Sequence, residues 1–228
     1  VPALDVRNQC SGFLYSLSVA DAWVRAGVYK NVLVVGSEVH STGLDFSERG
    51  RDVAVLFGDG AGAVLVGEAT REDQGILSLA LHADGAGARS LWVEAPASMN
   101  MPRLTEEMMG AGRHYPQMDG KAVFRAATEK MPEVANEALT RAELKVSDID
   151  LFIPHQANMR INQMVGARLG IPEGKTVHNI QRYGNTTAAT IPIGISESWG
   201  EGRIKPGTNV LFAAFGAGFT WAGSVVRF

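Results

Sequence analysis

The chain has 228 residues, 46% hydrophobic and 20% charged, enough to bury a core as one or two globular domains, so it is neither disordered, fibrous nor a small disulfide scaffold. Twenty-one basic against 24 acidic residues give a net charge of −3, which argues against nucleic acid as a partner and for a small molecule or another protein. Glycine is the outlier, with 26 residues against a usual share of roughly 7%.

The one cysteine, Cys10, leaves no intramolecular disulfide and no multi-cysteine zinc site, and fits a reducing, cytoplasmic compartment. The longest apolar run, Val210 to Phe219, falls short of the ~18 residues a membrane helix needs, so no membrane insertion is expected. His40, His82, His114 and His178 lack metal-ligand spacing and read as structural or surface residues, with no metal expected.

Leu4-Asp5-Val6 reads as the end of a buried strand. Phe13, Leu17, Ala20 and Val24 then recur on one helical face over Ser11 to Gly27, which puts Cys10 at a helix start. Asn31 to Gly36 reads as a strand buried on both faces. Val53 to Phe57 and Ala61 to Val66 flank Gly58-Asp59-Gly60, a hairpin signal, and Gly75 to Ala83 is another strand. Residues 84 to 118, rich in Gly, Pro, Met and Ser, mark a boundary and a candidate substrate-facing loop. Met99, Met101, Met108, Met109 and Met118 there fit either a flexible pocket lining or adaptable packing.

A helical stripe follows over Val123 to Leu139, with Pro132 expected to kink or divide it. Ile149 to Pro154 is a strand, Ala157 to Leu169 a helix stopped at Gly170, and Thr187 to Gly200 a further helix. Asn209 to Ala214 and Ala222 to Arg227 close the chain as strands. Strand, Cys10, helix is echoed by strand, His155, helix, and FGDGAGAVLVG by FGAGFTWAGSVV. The simplest account is a duplicated α/β unit, with residues 1–84 carrying the nucleophile and 85–228 the other two groups.

A thiol at a helix N-terminus faces the positive end of the helix dipole, which favours thiolate. His155 in PHQAN and Asn185 in YGNTT also stand at element ends. Cys, His and Asn so placed make a candidate nucleophile, acid/base and oxyanion donor.

DVRNQCSGFLY around Cys10, PHQAN around His155, GNTTAAT around Asn185, GDGAGAVLV and the closing FGAGFTWAGSVVRF together resemble the β-ketoacyl-acyl-carrier-protein synthase III family of the thiolase superfamily, over the whole chain. The resemblance implies an α/β fold layered α-β-α-β-α with mixed sheets. It also implies an acyltransferase that takes an acyl group, typically acetyl, from acyl-CoA onto Cys10. Decarboxylated malonyl-acyl-carrier protein then condenses with that thioester to start fatty-acid synthesis.

By the same resemblance His155 and Asn185 hold the enolate formed as CO₂ leaves, and the backbone N–H groups of Cys10 and Gly216 form the other oxyanion hole. Arg49 and Gly50 would meet the nucleotide end of CoA, Gly120 and Asn158 its pantetheine arm. Arg160, Arg125 and Arg168 would face the acidic carrier protein. No cofactor is implied beyond CoA and phosphopantetheine as substrates. A homodimer is implied, as is a segment ahead of Val1, carried on this chain or on another polypeptide. A ketosynthase for long-chain head-to-head condensation or secondary-metabolite priming would keep the same triad, and a non-catalytic accessory subunit is the alternative of another class. A biosynthetic thiolase is disfavoured because FGAGF carries no second cysteine, and a hydroxymethylglutaryl-CoA synthase less firmly so.

Overall fold

Cys10 sits in a tight 3₁₀ turn, Gln9–Ser11, that runs directly into helix α1 (Gly12–Arg25), so the nucleophile candidate does precede a helix. Its position in the computed structural model, which describes residues 1–228, follows from the elements in order. After α1 come β1 (Asn31–Glu38), a short α2 (Arg51–Ala54), β2 (Gly60–Gly67) and β3 (Gly75–Ala83). The middle region holds β4 (Leu91–Trp92), α3 (Glu106–Gly110) and β5 (Gln117–Met118). The rest is α4 (Gly120–Arg141), β6 (Leu151–Pro154), α5 (Met159–Leu169), α6 (Ile180–Tyr183), α7 (Thr190–Gly200), β7 (Asn209–Gly216) and β8 (Thr220–Arg227).

β1 and β2 pair antiparallel as a two-stranded sheet; a mixed sheet runs β3-β8-β7-β6, with β6 and β7 parallel and the other pairs antiparallel. Helices α1 and α7 fill the space between the sheets, and α4 and α5 cover the far side of the four-stranded sheet. Strand β7 feeds both cores because its side chains alternate. Val210 and Phe212 join Leu14, Leu17 and Ile191 in the middle layer, whereas Leu211 and Phe215 meet Met131, Leu139 and Val165 outside. Four layers are thus built from this chain. No helix of the chain is long and apolar enough to cross a membrane.

Several expectations need correction. Leu4-Asp5-Val6 is no strand: residues 1–8 form no regular element and pair with no strand of this chain. Strand β1 is buried on one face only. Its outer residues Leu33 and Val35 are 64% and 55% exposed, and Leu65 of β2 beside them is 69% exposed, because nothing covers that side. Val53 to Phe57 is the end of α2 and a linker rather than a strand, so Gly58-Asp59-Gly60 turns no hairpin. Asp59 instead accepts hydrogen bonds from the backbone N–H groups of His40 and Ser41. The adjacent glycines are close-approach positions, since a Cβ on Gly58 would lie 2.0 Å from the Tyr183 carbonyl oxygen.

Strand β3 pairs with β8, so a division at residue 84 leaves it outside the sheet it belongs to. Pro132 neither breaks nor divides α4. Its missing N–H leaves the Thr128 carbonyl without a helical partner, and the Arg168 guanidinium of α5 donates to that carbonyl instead. Met99, Met101 and Met109 are exposed and so are not packing residues within this chain.

Candidate active site

Parallel strands β6 and β7 end side by side, which brings His155 and Gly216 to one edge; the His155 N–H donates to the Ala213 carbonyl at 2.9 Å. A Cβ added at Gly216 would stand 2.4 Å from the Cys10 Cβ and 2.8 Å from its Sγ. Glycine is required there so that β7 can press against the nucleophile itself. Ser11 and Thr220 hydroxyls meet at 2.7 Å and Thr220 donates to the Ala217 carbonyl at 3.0 Å, tying the Cys10 turn to the loop after β7.

Cys10 is 5% exposed. Burial pushes its thiol up to about 12, aided by the charge of Glu38. Hydrogen bonds from the Ala217 backbone, from its own backbone and from the Asn185 side chain pull the other way. This corrects the expectation of a helix-start thiolate: desolvation outweighs the dipole, and the resting group is a thiol. The Ala217 backbone, one residue beyond Gly216, also bears on the thiol, so the loop after β7 meets Cys10 with two consecutive residues.

Asn185 is buried and clamped through its backbone, its N–H donating to Leu56 at 2.7 Å and its carbonyl accepting from Gly58 at 3.0 Å. Its Oδ1 accepts from the Thr187 N–H at 2.9 Å, which leaves the Nδ2 hydrogens for the sulfur. His155 is 1% exposed, and burial lowers its pKa to about 3, so the imidazole is neutral. Its Nδ1 meets the Thr190 hydroxyl at 2.7 Å, while its Nε2 is buried without a partner. Thr190 also reaches the Thr187 carbonyl at 3.1 Å, so Asn185 and His155 hang on one turn, Thr187–Ala189.

Other expected site residues are dispersed or engaged. Arg49 is bound to Asp45 at 2.6 Å, reaches the Gly110 carbonyl at 3.2 Å and lies over the Tyr115 ring. This holds the Asp45 carboxyl down at about 2, through hydrogen bonds from Ser47 and Arg49. Gly50 is a packing glycine against the Asp45 backbone. Gly120 opens α4, and Asn158 caps α5 by accepting from the Arg160 N–H at 2.9 Å. Arg125 and Arg160 are exposed without a carboxylate partner, whereas Arg168 serves the Thr128 carbonyl. His40, read from sequence as structural or surface, lies 2.6 Å from the Thr187 hydroxyl. No group of three or more His, Cys, Asp or Glu side chains is placed to hold a metal ion.

The family model described as 3-oxoacyl-[acyl-carrier-protein] synthase III matches residues 4–85, and the model of that family's C-terminal part matches residues 139–228. The β-ketoacyl-[acyl-carrier-protein] synthase III of Clostridioides difficile is 43% identical over 225 residues, covering 99% of this chain and 67% of that protein. The chain belongs to the β-ketoacyl-acyl-carrier-protein synthase III family.

The solved synthase III from Thermus thermophilus superposes with a TM-score of 0.87 at 40% identity, over 96% of this chain and 66% of that one. The priming β-ketosynthase of the R1128 polyketide pathway follows at 0.83 and 34%, over 96% of this chain and 64% of that one. The chain thus spans about two thirds of the length of the synthase III relatives it matches. The layered fold is that of synthase III, built twice over from a helix followed by an antiparallel strand pair, α1-β1-β2 and α7-β7-β8.

Proposed function

We propose that this chain carries the reaction centre of a synthase III-type acyltransferase that condenses an acyl-CoA starter, acetyl-CoA first among them, with malonyl-acyl-carrier protein. The observation that supports it most is the convergence of the three residues: Gly216, at the strand edge that carries His155, presses on the Cys10 side chain, and Asn185 shares the turn at Thr187 with Thr190, the partner of His155.

The Cys10 sulfur attacks the acyl-CoA carbonyl while its proton passes to the departing CoA sulfur; the C–S bond to CoA breaks, CoA leaves as its thiol and the acyl group stays on Cys10 as a thioester. The N–H groups of Cys10 and of the loop at Gly216 and Ala217 receive the tetrahedral oxyanion. Malonyl thioester then loses CO₂, and the electron pair moves onto its thioester oxygen as an enolate. Nδ2–H of Asn185 and Nε2–H of His155 donate to that oxygen. A neutral imidazole suits this role, since burial opposes a positive charge at His155. The enolate carbon attacks the acyl-Cys10 carbonyl, and the Cys10 thiolate leaves.

The pantetheine arm would pass Asn158 and Gly120, with Arg49 and Gly50 at the nucleotide end. Exposed Arg160 and Arg125 would meet the carrier protein, and the working unit would be a cytoplasmic homodimer. A priming role in secondary metabolism is the second reading, favoured by the likeness to the R1128 ketosynthase. Incubation of the intact protein with radiolabelled acetyl-CoA and longer acyl-CoAs tests both. Label on Cys10 that malonyl-carrier protein chases into a ketoacyl product supports the activity, and the preferred chain length separates the readings. No label from any acyl-CoA removes the ketosynthase claim.

A further inference from the structure

Thr187 is β-branched yet adopts φ +50, a left-handed conformation that costs strain and persists only where neighbours enforce it. Three hydrogen bonds converge on it. Its N–H donates to Asn185 Oδ1, its carbonyl accepts from Thr190, and its hydroxyl lies 2.6 Å from His40 Nε2. The first bond decides which end of the Asn185 amide faces the sulfur. The second bears on the His155 partner. The third comes from a separate element, the loop after β1.

That loop is firmly held. The His40 N–H donates to Asp59 at 2.6 Å, and the His40 ring lies 4.4 Å from the ring of Phe57, centroid to centroid. Phe57 forms the bridge to Asn185, between the Leu56 carbonyl and Gly58 N–H that clamp the Asn185 backbone. Gly36 of β1 completes the fit, because a Cβ there would stand 2.4 Å from the Ala188 carbonyl oxygen. His40 therefore touches both the segment that fixes the Asn185 main chain and the residue that fixes its side chain.

We infer that His40 is a positioning residue for the condensation step: it holds the Thr187 hydroxyl, keeps Thr187 left-handed, and through it aims the Asn185 amide at the reacting centre. This rests on the ketosynthase reading for its kinetic consequence, though not for its geometry. Acylation of Cys10 does not call on the Asn185–His155 pair for an enolate, so the two half-reactions respond differently.

The test uses the intact protein with His40→Leu, His40→Gln and Thr187→Val, measuring label transfer from acetyl-CoA to Cys10 and malonyl-carrier condensation separately. His40→Leu and Thr187→Val are expected to slow condensation about tenfold and leave acylation within about twofold, and the double variant to be no worse than either. His40→Gln, which can keep a hydrogen bond to the hydroxyl, is expected to recover most of the condensation rate. Equal loss of both half-reactions, or unchanged condensation, overturns the inference. A crystal structure of His40→Leu decides it independently: Thr187 should leave positive φ or the Thr187–Asn185 bond should open, and retention of both refutes the role. If the unsubstituted protein takes no acyl group onto Cys10, the ketosynthase reading falls and that structure alone judges the positioning. If His40→Leu does not fold, Thr187→Val carries the test.

Discussion

Arg168 donates to the carbonyl of Thr128, the group that Pro132 leaves unpaired four residues further along α4. This contact spans the α4–α5 seam and lets a proline sit buried inside a helix of 22 residues without ending it. Arg168→Met is expected to lower stability by about 1–2 kcal/mol, seen as an earlier denaturation midpoint, with the KM for carrier protein unchanged. A raised KM with unchanged stability would return Arg168 to the carrier-protein patch. Arg160→Glu is expected to show that second pattern, since its side chain is exposed and has no acidic partner.

Gly216→Ala tests the close approach of β7 to the nucleophile. The new methyl would overlap the Cys10 side chain, so the turn or the strand must shift, at a cost of about 1–3 kcal/mol. Loss of Cys10 labelling by acetyl-CoA, with far-ultraviolet circular dichroism retained, is the expected result.

Thr190→Val removes the hydroxyl at His155 Nδ1. Thr190 has one hydroxyl proton: given to the Thr187 carbonyl it leaves Nδ1–H and a bare Nε2, and only when it turns to Nδ1 does Nε2 carry the hydrogen that an enolate needs. Condensation is expected to fall about tenfold, the worth of one hydrogen bond, with Thr190→Ser close to the unsubstituted rate.

Two buried neutral groups set opposite pH limits. His155 has its pKa lowered to about 3 from 6.5, so the unfolded chain binds the extra proton and stability falls as pH drops from about 6.5 toward 3. Cys10 has its pKa raised to about 12 from 9.0, so stability falls as pH climbs from about 9 toward 12. Melting curves of Cys10→Ala should show a smaller alkaline decline, the remainder coming from Tyr183, whose phenol is held up by its hydrogen bond to Glu197. In the same range, alkylation of Cys10 by iodoacetamide should rise about tenfold per pH unit without a plateau at pH 9.

Long periodic elements were legible in the sequence: α1, α5 and α7 lie where their apolar spacing predicts, and β3 spans the residues expected. Short apolar stretches were not. Val53 to Phe57 carries strand-forming residues, yet its backbone is claimed by α2 and by the bridge from Phe57 to Asn185. Cys10, His155 and Asn185 stood out as candidates by their element-end positions and flanking motifs, but the state of the thiol did not, because burial is a property of the whole fold. His40 was invisible for another reason: its partner Thr187 is 147 residues away and neither residue belongs to a spaced motif.

The bare side of the β1–β2 sheet has a practical outcome. Two strands with unpaired outer edges and Leu33, Val35 and Leu65 facing water are a template for further strands. Prepared by itself, this polypeptide is expected to self-associate as its concentration rises, little affected by salt. Light scattering should show the growth, and Leu33→Lys with Leu65→Lys should suppress it while leaving the Cys10 centre untouched.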